Sequence, residues 1–324
     1  MKRALLAYAW SLAAMSISAF AGCASQDHAG SAPAGADAHV FRWVDQPDGT
    51  TDLYDSNRRV LCYVHAYDPS TDETLHETYK VYHHVFDENG EKLITKGSGG
   101  LYTHHRGIFI GWNKLTLGGN EYDYWHMKGV TQRHVETLEL AAGDGDARQI
   151  ARIDWCGPDG KAALIERRSI SVREVARPGF LLLDFESQIT PIAGDVLLDG
   201  DPEHAGFQFR AHNDVADGGP EVKAAYLFHE EGIDPTRDKD LPWVAMGFEL
   251  NGKRYTVLHM NHPANPRGTV YSAYRDYGRF GAFPRVEIRK DETLTLRYRI
   301  YVMLGDMPAR EQMERRYQDY IRAR

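Results

Sequence analysis

Cysteine is scarce: three in 324 residues, Cys23, Cys62 and Cys156. Three cysteines make no disulfide framework, although an exported protein could still join Cys62 to Cys156. No basic block is present and the formal net charge is −8, which excludes an electrostatic footprint for nucleic acid. No apolar run of spanning length follows the N-terminal segment. His-Glu-x-x-His, His-x-His, Gly-x-Ser-x-Gly, the P-loop and the dinucleotide fingerprint are all missing. Zincin, cupin-type, nucleophile-elbow and nucleotide chemistries therefore have no local signature here.

The N-terminus has the layout of an export signal. Met1-Lys2-Arg3 is basic, the stretch from Ala4 to Phe20 is mostly small and apolar, and Ala21-Gly22-Cys23 resembles a bacterial lipobox. The expected organisation is a lipoprotein signal peptide over 1–22, a lipidated Cys23, a Gly/Ala/Ser-rich tether over 23–38 and one domain over 39–324. Membrane contact would then come only through the lipid anchor, on the periplasmic or cell-surface side.

Beyond the tether, apolar residues recur with period two. In "LTLRYRIYVML", Leu294, Leu296, Tyr298, Ile300, Val302 and Leu304 alternate with Thr295, Arg297, Arg299, Tyr301 and Met303, as a half-buried strand requires. Asn89-Gly90, Asp159-Gly160 and Asn251-Gly252 predict three hairpins, because these pairs accept the positive φ of tight turns. Only the end reads as helical, with Pro308 near its first turn and Met313, Tyr317, Tyr320 and Ile321 at helical spacing. The expected fold is all-β: an antiparallel sandwich with a short C-terminal helix.

Three clusters carry chemistry. In "HAGFQFRAHND", His204, Gly206, Gln208, Arg210, His212 and Asp214 share one strand face, while Ala205, Phe207, Phe209 and Ala211 share the core face. In "LYTHHRGIFIGWNKLTLGGNEYDYWHM", a strand starting near His105 would separate His104 and Arg106 from His105, so one histidine of the pair serves a site and the other a loop or the core; Trp112 and His126 follow. In "YSAYRDYGRFGAF", Tyr274, Arg275 and Arg279 combine stacking rings with carboxylate-binding forks. His104, His105, His126 and His204 are the candidate catalytic groups. Arg106, Trp112, Gln208, Arg210, His212, Tyr274, Arg275 and Arg279 are the candidate substrate-binding groups. Each histidine taken singly is also explained as a satisfied structural residue. No metal motif is local, yet distant histidines could assemble a site for a divalent metal, since imidazole suits Zn, Fe and Cu.

"HHRGIFIGWN" with "YDYWHM", "DGDPEHAGFQFRA", "YSAYRDYGRFGAF" and the terminal "LRYRIYV" resemble a bacterial family labelled methane-oxygenase PmoA-like, over nearly the whole mature chain. That family is similar to galactose-mutarotase-type β-supersandwich proteins. The resemblance implies an exported carbohydrate-active protein with a saccharide ligand, anionic in one version. A lyase using histidine acid/base chemistry is favoured, a hydrolase using Asp201, Glu203 or Asp214 is the second reading, and a non-catalytic glycan-binding lipoprotein is the alternative.

Overall fold

A computed structural model describes residues 39–219 and 223–323. The signal segment, Cys23 and the tether lie outside the described residues. Among the described residues, antiparallel pairing of twenty strands builds two eight-stranded sheets and one small four-stranded sheet. The first sheet runs, edge to edge, Phe41–Gln46, Thr50–Asp55, Arg58–Val64, Tyr82–Val85, Ile108–Trp112, Ala205–Arg210, Arg279–Phe283 and Val270–Arg275. The second runs Ala225–Phe228, Trp243–Leu250, Lys253–Asn261, Leu294–Leu304, Gly179–Pro191, Ala162–Arg173, Asp146–Cys156 and Thr131–Ala142. The all-β antiparallel sandwich expected from period two is what forms.

Alternation explains how the two large sheets meet. Phe207 of the first sheet stacks on Tyr298 of the second, with ring centroids 4.6 Å apart and planes 5° from parallel, and it lies 4.4 Å from the Phe185 ring. Ile108, Ile110, Trp112, Ala205 and Phe209 join the same apolar cluster as Leu296, Ile300 and Val302. Burial of this continuous layer is the main stabilising term, at about 25 cal/mol per Å² of apolar surface removed from water.

The hairpin at Asn251-Gly252 pairs Trp243–Leu250 with Lys253–Asn261, and the one at Asp159-Gly160 pairs Asp146–Cys156 with Ala162–Arg173. The turn at Asn89-Gly90 closes a looser pair, held by the Phe86–Leu93 bridge. The C-terminal helix spans Arg310–Arg322 and buries Met313, Tyr317 and Tyr320 against Tyr301 and Met303. Strand Leu294–Leu304 is therefore covered on both faces at its C-terminal end. Two short helices, Asp72–Thr78 and Asn213–Asp217, add to the single helix read from the sequence. Neither carries enough apolar periodicity to stand out: the first buries no residue and the second only Val215. Cys62 and Cys156 are both buried free thiols.

One histidine belongs wholly to this core. His259 is 1% exposed among Phe207, Tyr271, Phe280 and Tyr298, and neither ring nitrogen has a partner. Burial pushes it down to about 3, against about 6.5 when unfolded. Between those values the unfolded chain binds a proton that the native chain refuses, so stability is present above pH 6.5 and drains as pH falls. His259→Phe is expected to flatten this acid slope by at most about 1.4 kcal/mol per pH unit, read from urea melts at pH 7.5, 6 and 5. An unchanged slope would show that His259 stays ionisable in the fold.

Candidate metal centre

The central ladder of the first sheet sets the site. Ala205–Arg210 lies between Ile108–Trp112 and Arg279–Phe283, and all six of its residues are buried. His204 stands at its mouth, where Asn113 N–H donates to the His204 carbonyl at 2.9 Å. The segment carrying His126 crosses Ile108–Trp112 at close range: Tyr124 N–H donates to Trp112 O at 2.9 Å. Gly111 permits that crossing, because a Cβ there would lie 2.3 Å from Tyr124 O. His104 sits in the turn before Ile108, so the strand begins three residues later than the sequence suggests.

These three segments bring His104, His126 and His204 together. One ring nitrogen from each falls within 4.8 Å of the others, and all three side chains are half-buried. Ring centroids are 4.3 Å apart for His104–His126 and 4.7 Å for His126–His204. Two of the rings are oriented from behind. Asp123 Oδ2 lies 2.8 Å from His126 Nδ1, and Asp201 Oδ1 lies 2.7 Å from His204 Nδ1. A carboxylate on Nδ1 fixes the tautomer and leaves the Nε2 lone pair free, which is the usual outer shell of a metal-bound histidine. Nε2 of His104 is buried with no hydrogen-bond partner.

Both carboxylates are themselves held. Asp123 Oδ1 accepts from the backbone of Trp125 and His126 at 3.1 and 2.8 Å. Asp201 accepts from Asn113 Nδ2 at 2.7 Å and from Glu203 N–H at 3.0 Å. Burial raises the Asp123 carboxyl, but the hydrogen bonds and charge of His126 outweigh it and bring it to about 2. Burial likewise lowers His204 against the upward pull of Asp201. His104 falls to about 2, through burial first and then its neighbours His126, Lys80 and His204. A neutral imidazole is the form a metal takes. Three histidines with an open fourth position make the ligand set of a catalytic zinc site, and imidazole also suits iron and copper.

Sequence reasoning missed Lys80 and Asp123. Lys80 is 1% exposed, and its Nζ donates to the carbonyls of both His104, at 3.0 Å, and Trp125, while burial and then the charge of Arg106 push its pKa well below the usual lysine value. It thus ties together the two segments that carry His104 and His126. Nothing local marks it in the sequence. Asp123 had a visible signal: Asp-x-x-His occurs at Asp123–His126 and again at Asp201–His204.

The other candidates divide. His105 stacks edge-on to His104 at 4.5 Å and points away, toward Trp125 and Tyr277. Gln208 spans the ladder: its amide donates to Arg106 O at 2.7 Å and accepts from Arg279 Nε at 3.3 Å. Arg210 and Arg279 lie buried on the same face. Glu203 engages Arg275 and, at 3.2 Å, Tyr274 Oη, so Arg275 is already neutralised rather than free to capture an anion. Arg106 is fully buried and donates to the carbonyls of His105 and His76, at 2.9 and 2.8 Å, and of Thr103. It is a clamp on backbone, not a substrate ligand. Trp112 is fully buried in the core, 6.0 Å from Trp155, because its register opposite Ala205 puts it on the apolar face. His212 lies beyond the strand end and caps Asn213–Asp217 by accepting from Asp214 N–H at 3.3 Å.

The comparisons with known proteins can now be set beside this geometry. The chain belongs to the family of unknown function DUF6807, whose profile matches residues 50–318. That span contains all three histidines, both orienting aspartates and Lys80. No curated protein matches the chain in sequence. Among solved structures, it is similar to a variant GH36 α-galactosidase from Geobacillus stearothermophilus determined in complex with raffinose, at 8% identity and a TM-score of 0.35. The match covers 83% of this chain and 41% of that enzyme, so the chain spans less than half of its length.

Removal of an orienting carboxylate is expected to cost metal affinity without unfolding the protein. Asp123→Asn and Asp201→Asn should each weaken Zn²⁺ binding by roughly 10- to 100-fold, measured by competition with a chromophoric chelator. Wild-type affinity in both variants would remove the carboxylates from any metal shell.

Proposed function

We propose that this protein is a divalent-metal-dependent enzyme acting on a saccharide, with His104, His126 and His204 holding the ion. The convergence of three histidines, two with carboxylates behind them, carries this reading. The bound ion would supply Lewis-acid polarisation of a substrate oxygen and would lower the pKa of a coordinated water. The chain's own residues hold and aim it: Asp123 and Asp201 set the rings, and Lys80 fixes the two segments. The exposed ring of Tyr102 and the half-buried ring of Tyr274 supply faces suited to sugar stacking.

Lyase chemistry fits this surrounding better than two-carboxylate hydrolysis. A glycosidase needs a pair of carboxyl groups free to face the scissile bond. Here Asp123 and Asp201 are committed to histidines, Glu203 to Arg275 and Tyr274, and Asp214 is exposed at the helix beyond the strand. A lyase needs a base and positive charge beside a developing oxyanion, and the buried cations supply the second requirement. The resemblance to PmoA-like proteins and export as a lipoprotein anchored through Cys23 are parts of the same proposal. Cys23→Ser is expected to release unlipidated protein or to leave the signal uncleaved, read by mass spectrometry of the mature N-terminus.

The central test is metal content and metal-dependent turnover of the full chain. One divalent ion per chain is expected by mass spectrometry of the dialysed protein. His204→Ala and His126→Ala should lose it while keeping the β-rich circular dichroism spectrum. Turnover in a polysaccharide screen should vanish with chelator and return with added metal. Turnover indifferent to chelator, in a protein that takes up no ion, would sink the metal reading. Glycan binding without any turnover would leave the non-catalytic glycan-binding lipoprotein in its place.

A further inference from the structure

The ladder that carries His204 holds a second feature that the histidine triad does not use. Arg210 and Arg279 are directly opposite each other across the antiparallel pair, so both side chains leave the same face of the sheet. Both are 0% exposed. Among the described residues, neither has a carboxylate within ion-pair distance, although the protein is acidic overall. Like charges directly opposite each other are destabilising, and so is the burial of an unpaired charge. Glu203, whose charge reaches Arg279, is held at the rim by Arg275 and Tyr274.

The protein satisfies only part of these two guanidinium groups. Arg210 Nη1 donates to Ala211 O at 2.9 Å and to Tyr277 O, while its Nε and Nη2 are buried with no partner. Arg279 Nε donates to Gln208 Oε1 and Nη1 to Ser272 Oγ at 2.5 Å, while its Nη2 is buried with no partner. His105 adds two more buried, unpartnered nitrogens at 2% exposure. Aromatic rings close the surroundings: Tyr277 lies under the Arg210 guanidinium at 4.6 Å, Trp125 under that of Arg279 at 5.0 Å, and the His105 ring is 6.1 and 6.2 Å from the same two rings. Native interiors rarely leave so many donors unmatched in one place. A planar, doubly accepting anion is the chemical complement of such forks.

We infer that Arg210, Arg279 and His105 form a buried pocket for the carboxylate of an acidic sugar, beside the His104–His126–His204 centre. Trp125 links the two: its ring lies 6.3 Å from the ring of His204 and carries the Arg279 guanidinium on its face. The cover is Tyr102, whose ring rests 5.3 Å from His105 and 5.0 Å from Tyr277. It is 44% exposed and sits at φ 55° after Gly99 and Gly100, so it is the side chain that must swing aside to admit a sugar. The inference rests on the proposed function and narrows its substrate to a uronate-type saccharide. In a lyase acting on such a sugar, a base would take the C5 proton beside the bound carboxylate, the C4–C5 double bond would form as the C4–O bond breaks, and the sugar oxygen would leave carrying a proton.

The test compares D-galacturonate with D-galactose on the Zn²⁺-loaded full chain, by calorimetry and by thermal shift. Galacturonate is expected to bind at least tenfold more tightly and to raise the melting temperature further. Arg279→Gln and Arg210→Lys should each weaken galacturonate by roughly tenfold to a hundredfold, with galactose affinity and zinc content unchanged. The wild-type comparison stands on its own if either variant folds poorly. Equal binding of the two sugars, or no stabilisation by galacturonate, overturns the pocket even if zinc binds one per chain. A preference for galacturonate in wild-type protein that takes up no zinc keeps the pocket and removes the metal reading instead.

Discussion

The hydrogen-bonded ladder of Ile108–Trp112, Ala205–Arg210 and Arg279–Phe283 is the constraint on which the rest depends. It lies in the middle of the first sheet, so none of its three strands is an edge. Its register gives one face to Ile108, Ile110, Phe207 and Phe209 and the other to Gln208, Arg210 and Arg279. The first face is sealed by the second sheet. A one-residue slip would exchange the faces, driving arginines into the Phe185–Tyr298 layer. The apolar core therefore fixes the polar site: the packing of Phe207 on Tyr298 determines where Arg210 and His204 point.

The polar face is electrostatically lopsided. Burial pushes His104, His105 and His204 toward the neutral form, while Arg210 and Arg279 have no carboxylate within ion-pair distance among the described residues. Carboxylates reach the triad only from behind, on the Nδ1 side of His126 and His204. Under the proposed function, a cation would sit at the lone pairs that the aspartates aim, and an anion at the unsatisfied guanidinium groups. Trp125 touches both, with His204 at its edge and Arg279 over its face, and so stands between them as an uncharged wall.

Much of the architecture was legible because period-two alternation is a direct consequence of strand geometry. Leu294–Leu304, the Asn251-Gly252 hairpin and the helix at Arg310–Arg322 follow from that rule and from turn chemistry. Four histidines, His104, His105, His126 and His204, stood out as candidates; three of them meet, while His105 turns toward Trp125 and Tyr277. Burial on the second face was not legible. Alternation shows that Gln208 and Arg210 leave one side, but not that distant loops then cover that side completely. For the same reason Arg106 and Trp112 read as ligands, although long-range packing makes one a backbone clamp and the other core. His212 was misplaced by extending the strand four residues too far, to Asp214, into the short helix that His212 caps.

The histidines of this chain show why composition cannot assign chemistry. His259 is enclosed by four aromatic rings with both nitrogens idle, and nothing there could bring a cation or a substrate to it. His83 is also fully buried, but Gln149 satisfies one nitrogen at 3.0 Å. His126 and His204 each spend one nitrogen on an aspartate and offer the other to a shared centre. The same imidazole is thus spacer, structural hydrogen-bonding group or ligand according to which nitrogen is used and what the other one faces. The repeated Asp-x-x-His spacing at 123–126 and 201–204 is the part of that distinction written locally in the chain, since a three-residue turn is enough to bring the carboxylate onto Nδ1. The remainder is decided by Gly111, which lets one of those turns lie against the strand that brings it to the other.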